Sequence, residues 1–375
     1  MKVKSVAVVA AFALASGAVL SATSASAATK KVDWSKVTTV AQGGGAAALK
    51  AACKAEGQLN IIATPVDWAN YGEIIAGFKK TYGVKIDSAN PDGSSQDEID
   101  AANKLKGTKR SPDVFDVGSA VGYTYIDTHY APYKVAAWNS IPADKKDSKG
   151  RLTANYTGLM MVGWDSRLGN VTKLDDLLDP KFKGVVALNG DPTKASAGLN
   201  GIFMVSIANG GSFNDVTPGV AWFKKLKDAG NFINVDPSPA TIESGQTRVV
   251  FDWSYNQKSV IDKFKAAGVT WKTYSPANAA VGSFYNAGVS AWAPHPACAR
   301  AWMEYVYSAP AQNAFAKGGA SPVLWGTLIS SKKAEQAAID VIGTGTSVPA
   351  SASLDQQTAA KDYLAKNWAA AVGTR

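Results

Sequence analysis

The sequence predicts an α/β protein built as two lobes, on three observations. Short apolar runs bounded by turn residues alternate with amphipathic stretches of helical period, which is the pattern of parallel sheet units. The chain has 375 residues, or 375 − 27 = 348 once the export signal described below is removed. That exceeds the roughly 250 to 300 residues that one hydrophobic core usually serves. Hydrophobic residues make up 46% of the chain, enough for two cores and against global disorder.

The elements follow in order. Met1 to Ala27 has the three parts of a secretory signal: Lys2 and Lys4, the apolar run Val6 to Leu20, and the small-residue cleavage site Ala25-Ser26-Ala27. The run is shorter than the ~20 apolar residues of a membrane span. No cysteine lies at the cleavage site, so the expectation is an exported protein without a lipid anchor, acting in the periplasm or the extracellular, cell-envelope space. Residues 28–56 read as an extended leader broken by Gly43-Gly44-Gly45, then an Ala-rich helix ending at Glu56.

Gly57 precedes a first strand, Leu59 to Ala63, followed by a helix with Ile74, Ile75, Phe78 and Tyr82 on one face. Gly83 ends that helix and Val84-Lys85-Ile86 begins a second strand. A Ser-rich turn, a helix through Leu105 and a third strand, Val114 to Val117, come next. The alternation restarts after residue 160 with strand Val185–Leu188, helices 195–208 and 219–229, strand Val249–Phe251 and helix 257–267. Phe284 to Trp292 reads as a strand leading into a helix at His295–Ser308. Ligands are expected outside the carboxyl ends of such strands.

Charge excludes some functions. The formal charge is +9, falling to +9 − 2 = +7 without Lys2 and Lys4. The lysines are scattered along helices, as in Phe78-Lys79-Lys80 and Phe223-Lys224-Lys225, with no arginine-rich stripe. That distribution, in an exported chain, argues against nucleic acid as a partner. Cys53 and Cys298 are the only cysteines, and an even count in an exported protein favours a disulfide over two separate buried thiols.

Acids beside aromatics, and polar helix starts, gather at the strand ends. Asp67 and Trp68, in Pro65-Val66-Asp67-Trp68, suit an amine by charge and cation–π contact; the plain alternative is a capping Asp with a packing Trp. After the second strand, Ser95 and Glu98 have capping-box spacing, so a helix starts there. The polar start Ser94-Ser95 can offer free N–H groups to a phosphate or carboxylate. A calcium loop is excluded because Ser88 stands at the first ligand place and Ile99 at the twelfth. Ser119 and the run Asp191 to Ser196, with Thr193, have the same character, while Asp191 would repel an anion. Past the Val249–Phe251 strand come Asp252, Trp253 and Tyr255, an acid between aromatics that is costly to bury without purpose. An interlobe packing cluster is the alternative there. Tyr285 completes the set.

Leu174 to Ser196, reading LDDLLDPKFKG, VVALNGDP and TKAS, resembles the extracellular solute-binding proteins of ABC importers. Glu243-Ser244-Gly245-Gln246-Thr247 before Asp252, and Ala293-Pro294-His295-Pro296 leading to Tyr307-Ser308 and Gln312, resemble the same family, so the likeness covers most of residues 57–325. It implies the two-lobed type II periplasmic-binding-protein fold, with the loop Gly190-Asp191-Pro192-Thr193 on the ligand cleft. It also implies two crossings between lobes, Leu159–Trp164 and Tyr274–Tyr285. Lobe 1 would hold 57–160 and 284–375, including the C-terminal helices, and lobe 2 would hold 161–283.

The resemblance implies capture of a small-molecule solute by a monomer and delivery to a membrane permease, with no cofactor, no metal and no catalytic residue. Its relatives handle polyamines, ferric iron, phosphonates or sugar phosphates. Ferric-iron members present adjacent tyrosines, where this chain has Phe284-Tyr285. The acid count favours a polyamine-like organic cation, with a phosphonate or sugar phosphate as the alternative. A secreted hydrolase is the remote alternative: the sequence lacks Gly-x-Ser-x-Gly and His-Glu-x-x-His and has only His129 and His295, and only carboxylate pairs speak for it.

Overall fold

Three helix–strand alternations open the folded chain in a computed structural model, which describes Met1 and residues 32–373 apart from Ala267. The expected export signal therefore lies outside the described residues, Met1 excepted. The first elements are α1 (Ala46–Glu56), β1 (Gln58–Ile62), α2 (Tyr71–Tyr82), β2 (Lys85–Ala89), α3 (Ser95–Leu105) and β3 (Val114–Gly118). Short helices α4 (Ser119–Gly122) and α5 (Ile126–His129) and the two-residue β4 (Tyr130–Ala131) lead to the long β5 (Thr153–Asp165). Then come β6 (Val186–Leu188), α6 (Ser196–Ala208), α7 (Thr217–Asp228), α8 (Pro239–Glu243), β7 (Val249–Trp253), α9 (Ser254–Ala266) and β8 (Trp271–Tyr274). The chain returns through β9 (Gly282–Ser290), α10 (Pro296–Val306), α11 (Ala309–Lys317), β10 (Ser321–Pro322), α12 (Trp325–Ser330), α13 (Gln336–Ile342) and α14 (Leu354–Val372).

Two of the expected parallel pairings form, β1 with β2 and β6 with β7. The larger sheet is mixed, in the order β3-β9-β5-β7-β6. β9 runs antiparallel to β3 and β5, and β5 runs antiparallel to β7. A purely parallel expectation missed this because β5 and β9 are long return strands, not members of helix-crossover units. β5 changes partners along its length. Thr153 to Leu159 lie against β9, whereas Met160 to Trp164 lie against β7 and Val162 to Asp165 against β8.

Helix α9 lies directly on β5, which explains two glycines. A Cβ on Gly158 would stand 2.7 Å from the Tyr255 ring, and one on Gly163 would stand 1.8 Å from Gln257 Oε1. Gln257 in turn accepts from the Trp271 indole at 2.8 Å and donates to the Val250 carbonyl at 3.0 Å.

The leader is not loose. Arg300 of α10 is 1% exposed and donates to the carbonyls of Val37 (2.6 Å), Ser35 (2.9 Å) and Pro296 (3.0 Å). Burial draws its pKa down to about 10, so it stays charged at neutral pH. Beside it Cys53 and Cys298 are joined, tying α1 to α10 across 245 residues of sequence. The Glu56 carboxylate accepts from the N–H groups of Ala297 (2.9 Å) and Cys298 (2.7 Å), satisfying the start of α10. At the other end of the chain, α14 packs on α7, with Trp368 against Phe223 (5.4 Å) and Phe232 (6.0 Å). Among the described residues no helix is long and apolar enough to cross a membrane.

Candidate functional site

The carboxyl ends of β1, β2, β6 and β7, with Asp116 of β3, surround a cavity of about 490 Å³. Of the twelve sequence-predicted binding residues, Asp67, Trp68, Ser94, Ser95, Asp191, Ser196, Asp252 and Tyr285 line it. Ser119, Thr193, Trp253 and Tyr255 do not. Ser119 is committed to holding α4 on β9, donating to the Phe284 carbonyl at 3.2 Å and accepting from Asn286 at 3.0 Å. Thr193 is taken up by Asp191, whose Oδ1 accepts from its backbone N–H (2.9 Å) and hydroxyl (2.7 Å). That turn shapes the loop before α6. Trp253 and Tyr255 are fully buried behind the wall, stacked at 6.2 Å.

The start of α3 differs from its expected form by one residue. Ser94 is the cap, and its capping box is closed by Asp97 and not by the Ser95–Glu98 pair. The shift releases Ser95 and Glu98 for other work. Ser95 Oγ accepts from Gly118 N–H and Glu98 Oε2 from Asp116 N–H, both at 3.0 Å, so α3 is fastened to the end of β3. Both residues also face the cavity.

The wall is aromatic and the lining acidic. Trp68 stands edge-on to Tyr255 and to Tyr285, each at 5.5 Å, and Tyr285 stacks on Tyr156 at 5.5 Å. A relay runs inward from it: Trp68 donates to the Tyr156 hydroxyl (2.7 Å), which donates to Asp116 Oδ2 (2.6 Å). Asp252 accepts from the Trp253 N–H (2.7 Å) and the Asn256 amide (3.1 Å). In all, eight carboxyl-bearing residues line the cavity: Asp67, Asp92, Asp97, Glu98, Asp116, Asp191, Asp236 and Asp252. Lys194 is the only basic residue among the described lining residues.

The sequence profile of the bacterial extracellular solute-binding protein family matches residues 109–343, more than half of the chain. The chain belongs to that family. The binding protein AgtB from A. tumefaciens R10, solved in complex with agropinic acid, is similar at 15% identity and a TM-score of 0.64, over 85% of this chain and 99% of that one. Apo ferric ion-binding protein A from Pasteurella haemolytica is similar at 19% identity and a TM-score of 0.55, over 84% and 96%. A putative spermidine/putrescine ABC transporter protein from Listeria monocytogenes is similar at 13% identity and a TM-score of 0.54, over 68% and 80%. No curated protein matches the chain. These likenesses establish the two-lobed type II fold; the family membership makes this a solute-binding protein that delivers its ligand to an ABC importer and is not an enzyme.

In this solute-binding protein, burial raises the pKa of three cleft carboxyls. Asp116 is pushed up to about 7 and Asp252 to about 6; Glu98 is also driven well up. Desolvation is the largest cause in each, opposed for Asp116 by Tyr156, Tyr71 and Asn155 and for Asp252 by Asn189, the Trp253 N–H and Asn256. The consequence for stability has a definite sign. An unfolded Asp releases its proton near pH 3.8, whereas these two hold theirs to about 7 and 6. Stability present at low pH is therefore lost as pH rises through that window, at up to about 1.4 kcal/mol per pH unit per group. We expect the melting temperature of the ligand-free protein to fall between pH 5 and pH 8, and Asp116→Asn to flatten that slope. A melting temperature that rises over the same range would contradict this picture of the cleft.

Other titratable groups are already committed. A second hollow of about 430 Å³ is lined by Asp165, Arg167, Arg248 and Trp271, and both arginines are paired with Asp165 Oδ2. Although burial opposes it, those pairs hold Asp165 down at about 2. His295 Nδ1 lies 2.9 Å from Asp113 Oδ2, at the start of α10. His129 lies 3.0 Å from Asn103 and 2.8 Å from Thr128. Among the described residues, no group of three or more His, Cys, Asp or Glu could hold a metal.

Sequence reasoning missed Asp116, Glu98, Asn189, Asn256, Asp236 and Ser238, all of which line the cavity. A signal for Asp116 was present. It is an acid inside the apolar strand Val114-Phe115-Asp116-Val117, which is the same reasoning that singled out Asp252. Asn189, Asp236 and Ser238 sit in irregular loops whose approach to the cleft only the fold reveals.

Proposed function

We propose that the protein captures a small organic cation of the polyamine type and passes it, as an exported monomer, to its permease. The observation that carries this reading is the lining itself: eight carboxyl-bearing residues against one lysine, beside the aromatic faces of Trp68 and Tyr285. Carboxylates neutralise an ammonium, and aromatic faces attract it further in a partly desolvated cleft. The acids come from both expected lobes, Asp67 and Asp116 from one and Asp191 and Asp252 from the other. Capture then draws the lobes together about β5 and the 274–285 segment. Close approach is supported by Gly118, where a Cβ would lie 2.3 Å from that of Ser196.

A second reading rests on α6. This 13-residue helix has no side-chain cap at Ala195, and Ser196 and Lys194 line the cavity beside it. Uncapped helix starts bind phosphate groups, so a phosphonate or sugar phosphate is the alternative ligand. The flanking Asp191 and Asp252 weigh against it, because both would repel an anion.

Thermal shift with putrescine, spermidine, 2-aminoethylphosphonate and glucose 6-phosphate separates the two readings. A ligand at 100 times its dissociation constant adds about 2.7 kcal/mol to folding stability. A shift with the amines alone supports the cation; a shift with the phosphorus compounds alone overturns it in favour of the α6 helix start.

A further inference from the structure

The loop that carries Asp67 and Trp68 to the cleft is strained. Among the described residues, five other than glycine have a positive φ, and three of them lie on this loop: Ala63 at 51°, Ala69 at 46° and Asn70 at 65°. The last two follow Trp68 directly. Alanine lacks the polar side chain that eases Asn into this conformation, so the backbone persists there only where its surroundings impose it.

Two side-chain bonds reach from the loop to distant elements. Asn70 donates to the Ala314 carbonyl of α11 at 2.9 Å, fixing the exit into α2. Trp68 donates through its indole N–H to the Tyr156 hydroxyl at 2.7 Å, and Tyr156 donates to Asp116 Oδ2 at 2.6 Å. The direction of this relay is forced. An indole N–H can only donate, so the Tyr156 oxygen accepts from it and sends its own hydrogen to Asp116. Tyr71 and Asn155 also donate toward the same carboxyl group. Three neutral donors on one carboxyl favour its ionised form, while burial opposes it.

We propose that Asp116 is a positioning residue: through Tyr156 it latches Trp68 and its strained loop, and its ionisation sets how firmly the indole is held at the cleft. An ionised Asp116 draws the Tyr156 hydrogen toward itself, which makes the phenol oxygen a stronger acceptor for the Trp68 N–H. A protonated Asp116 is the weaker acceptor, and the relay slackens. The latch does not depend on what the ligand is. Its effect on affinity rests on the organic-cation reading above, in which the face of Trp68 meets an ammonium.

The titratable groups around Asp116 are Glu98 of α3, Tyr71 of α2, Tyr156 of β5, Tyr255 of α9, Tyr285 of β9 and Tyr307 after α10. None is a base, and burial raises every one of these tyrosines, so they stay neutral. Glu98, whose Oε2 accepts from the Asp116 N–H at 3.0 Å, is the group whose titration has to be told apart. Tyr156→Phe does so, because it cuts the relay and leaves both carboxyls in place.

Nitrogen-15 NMR of the indole N–H groups reads the latch in the ligand-free protein. The chain has 11 tryptophans, and Trp68→Phe identifies the Trp68 resonance by its loss. In the wild type that resonance should titrate with a midpoint of about 7 and lie further downfield on the alkaline side. Tyr156→Phe should move it upfield and abolish its pH dependence. Asp116→Asn should abolish the pH dependence too, and either variant suffices if the other does not fold. Calorimetry supplies the second readout: Tyr156→Phe should weaken putrescine binding about tenfold at pH 8, the equivalent of one hydrogen bond, and less at pH 6. A Trp68 resonance that ignores pH in the wild type, or that titrates unchanged in Tyr156→Phe, would overturn the latch whatever the ligand. Wild-type affinity in Tyr156→Phe at both pH values would overturn its role in binding. A wild type that does not bind putrescine would overturn the cation reading and leave the latch to be judged by the resonance.

Discussion

Replacing Asp252 by Asn lowers the affinity for putrescine about a hundredfold, the order expected on truncating one partner of a buried charge pair. The same change raises the melting temperature of the ligand-free protein. The two effects have one origin. Asp252 is buried at the end of β7, with only the Trp253 N–H and neutral amides to stabilise its charge, so its pKa rises to about 6. At pH 8 the folded protein therefore carries an ionised carboxylate that the unfolded chain would solvate better. A bound ammonium removes that cost, and Asn never incurs it. The substitution is also accommodated locally. Asn256 Oδ1 is buried without a partner, and turning the Asn256 amide would let it accept from the new side chain. Measured by calorimetry and thermal unfolding, lower affinity with higher stability is the expected pair. Unchanged or tighter amine binding would remove Asp252 from the site.

The second large effect concerns the disulfide. Breaking it with Cys53→Ala and Cys298→Ala together should lower stability by about 3–5 kcal/mol, because the loop it closes in the unfolded chain is very long. The separation is 245 residues, spanning every element from β1 to β9. Binding should persist in the variant at low temperature, since the bridge joins α1 to α10 and neither helix lines the cavity. The same loss should follow on adding a thiol reductant to the wild type. An unchanged denaturation midpoint would show that the Arg300 and Glu56 contacts hold the leader and α10 together without it.

Much of the fold was legible because each helix carries its own stop and its own apolar face. Gly57 and Gly83 end α1 and α2 in the left-handed conformation, as their sequence positions suggest. Ile74 and Phe78 are buried on one face of α2. What periodicity could not show was strand direction. β5 reads as Thr-Ala-Asn-Tyr-Thr-Gly with little apolar alternation, because its two halves lie in different surroundings with β9 on one and β7 and β8 on the other. Start points slipped for a related reason. α9 begins at Ser254, three residues before residue 257, where the pattern suggested, which places Tyr255 on the helix and turns it inward against β5.

The site was legible in kind and less so in detail. Asp67, Trp68 and Asp252 were recognisable as polar or aromatic residues just beyond apolar strands and Tyr285 as an aromatic on the returning strand, and all line the cavity. Asp116 escaped notice because it lies inside its strand, and Glu98 because its spacing from Ser95 looked like a cap. Competition between two overlapping capping boxes, Ser94 with Asp97 and Ser95 with Glu98, is settled by what lies opposite. Only a structure shows that the N–H groups of Asp116 and Gly118 claim the second pair.

The most direct test of the cation-binding account is a crystal structure of the protein grown with putrescine. The predicted result places an ammonium nitrogen at Asp252 and Asp67, with the carbon chain against Trp68 and Tyr285. A cleft without amine, whose only ligand is a phosphonate or sugar phosphate held by the N–H groups at Ser196, would contradict it.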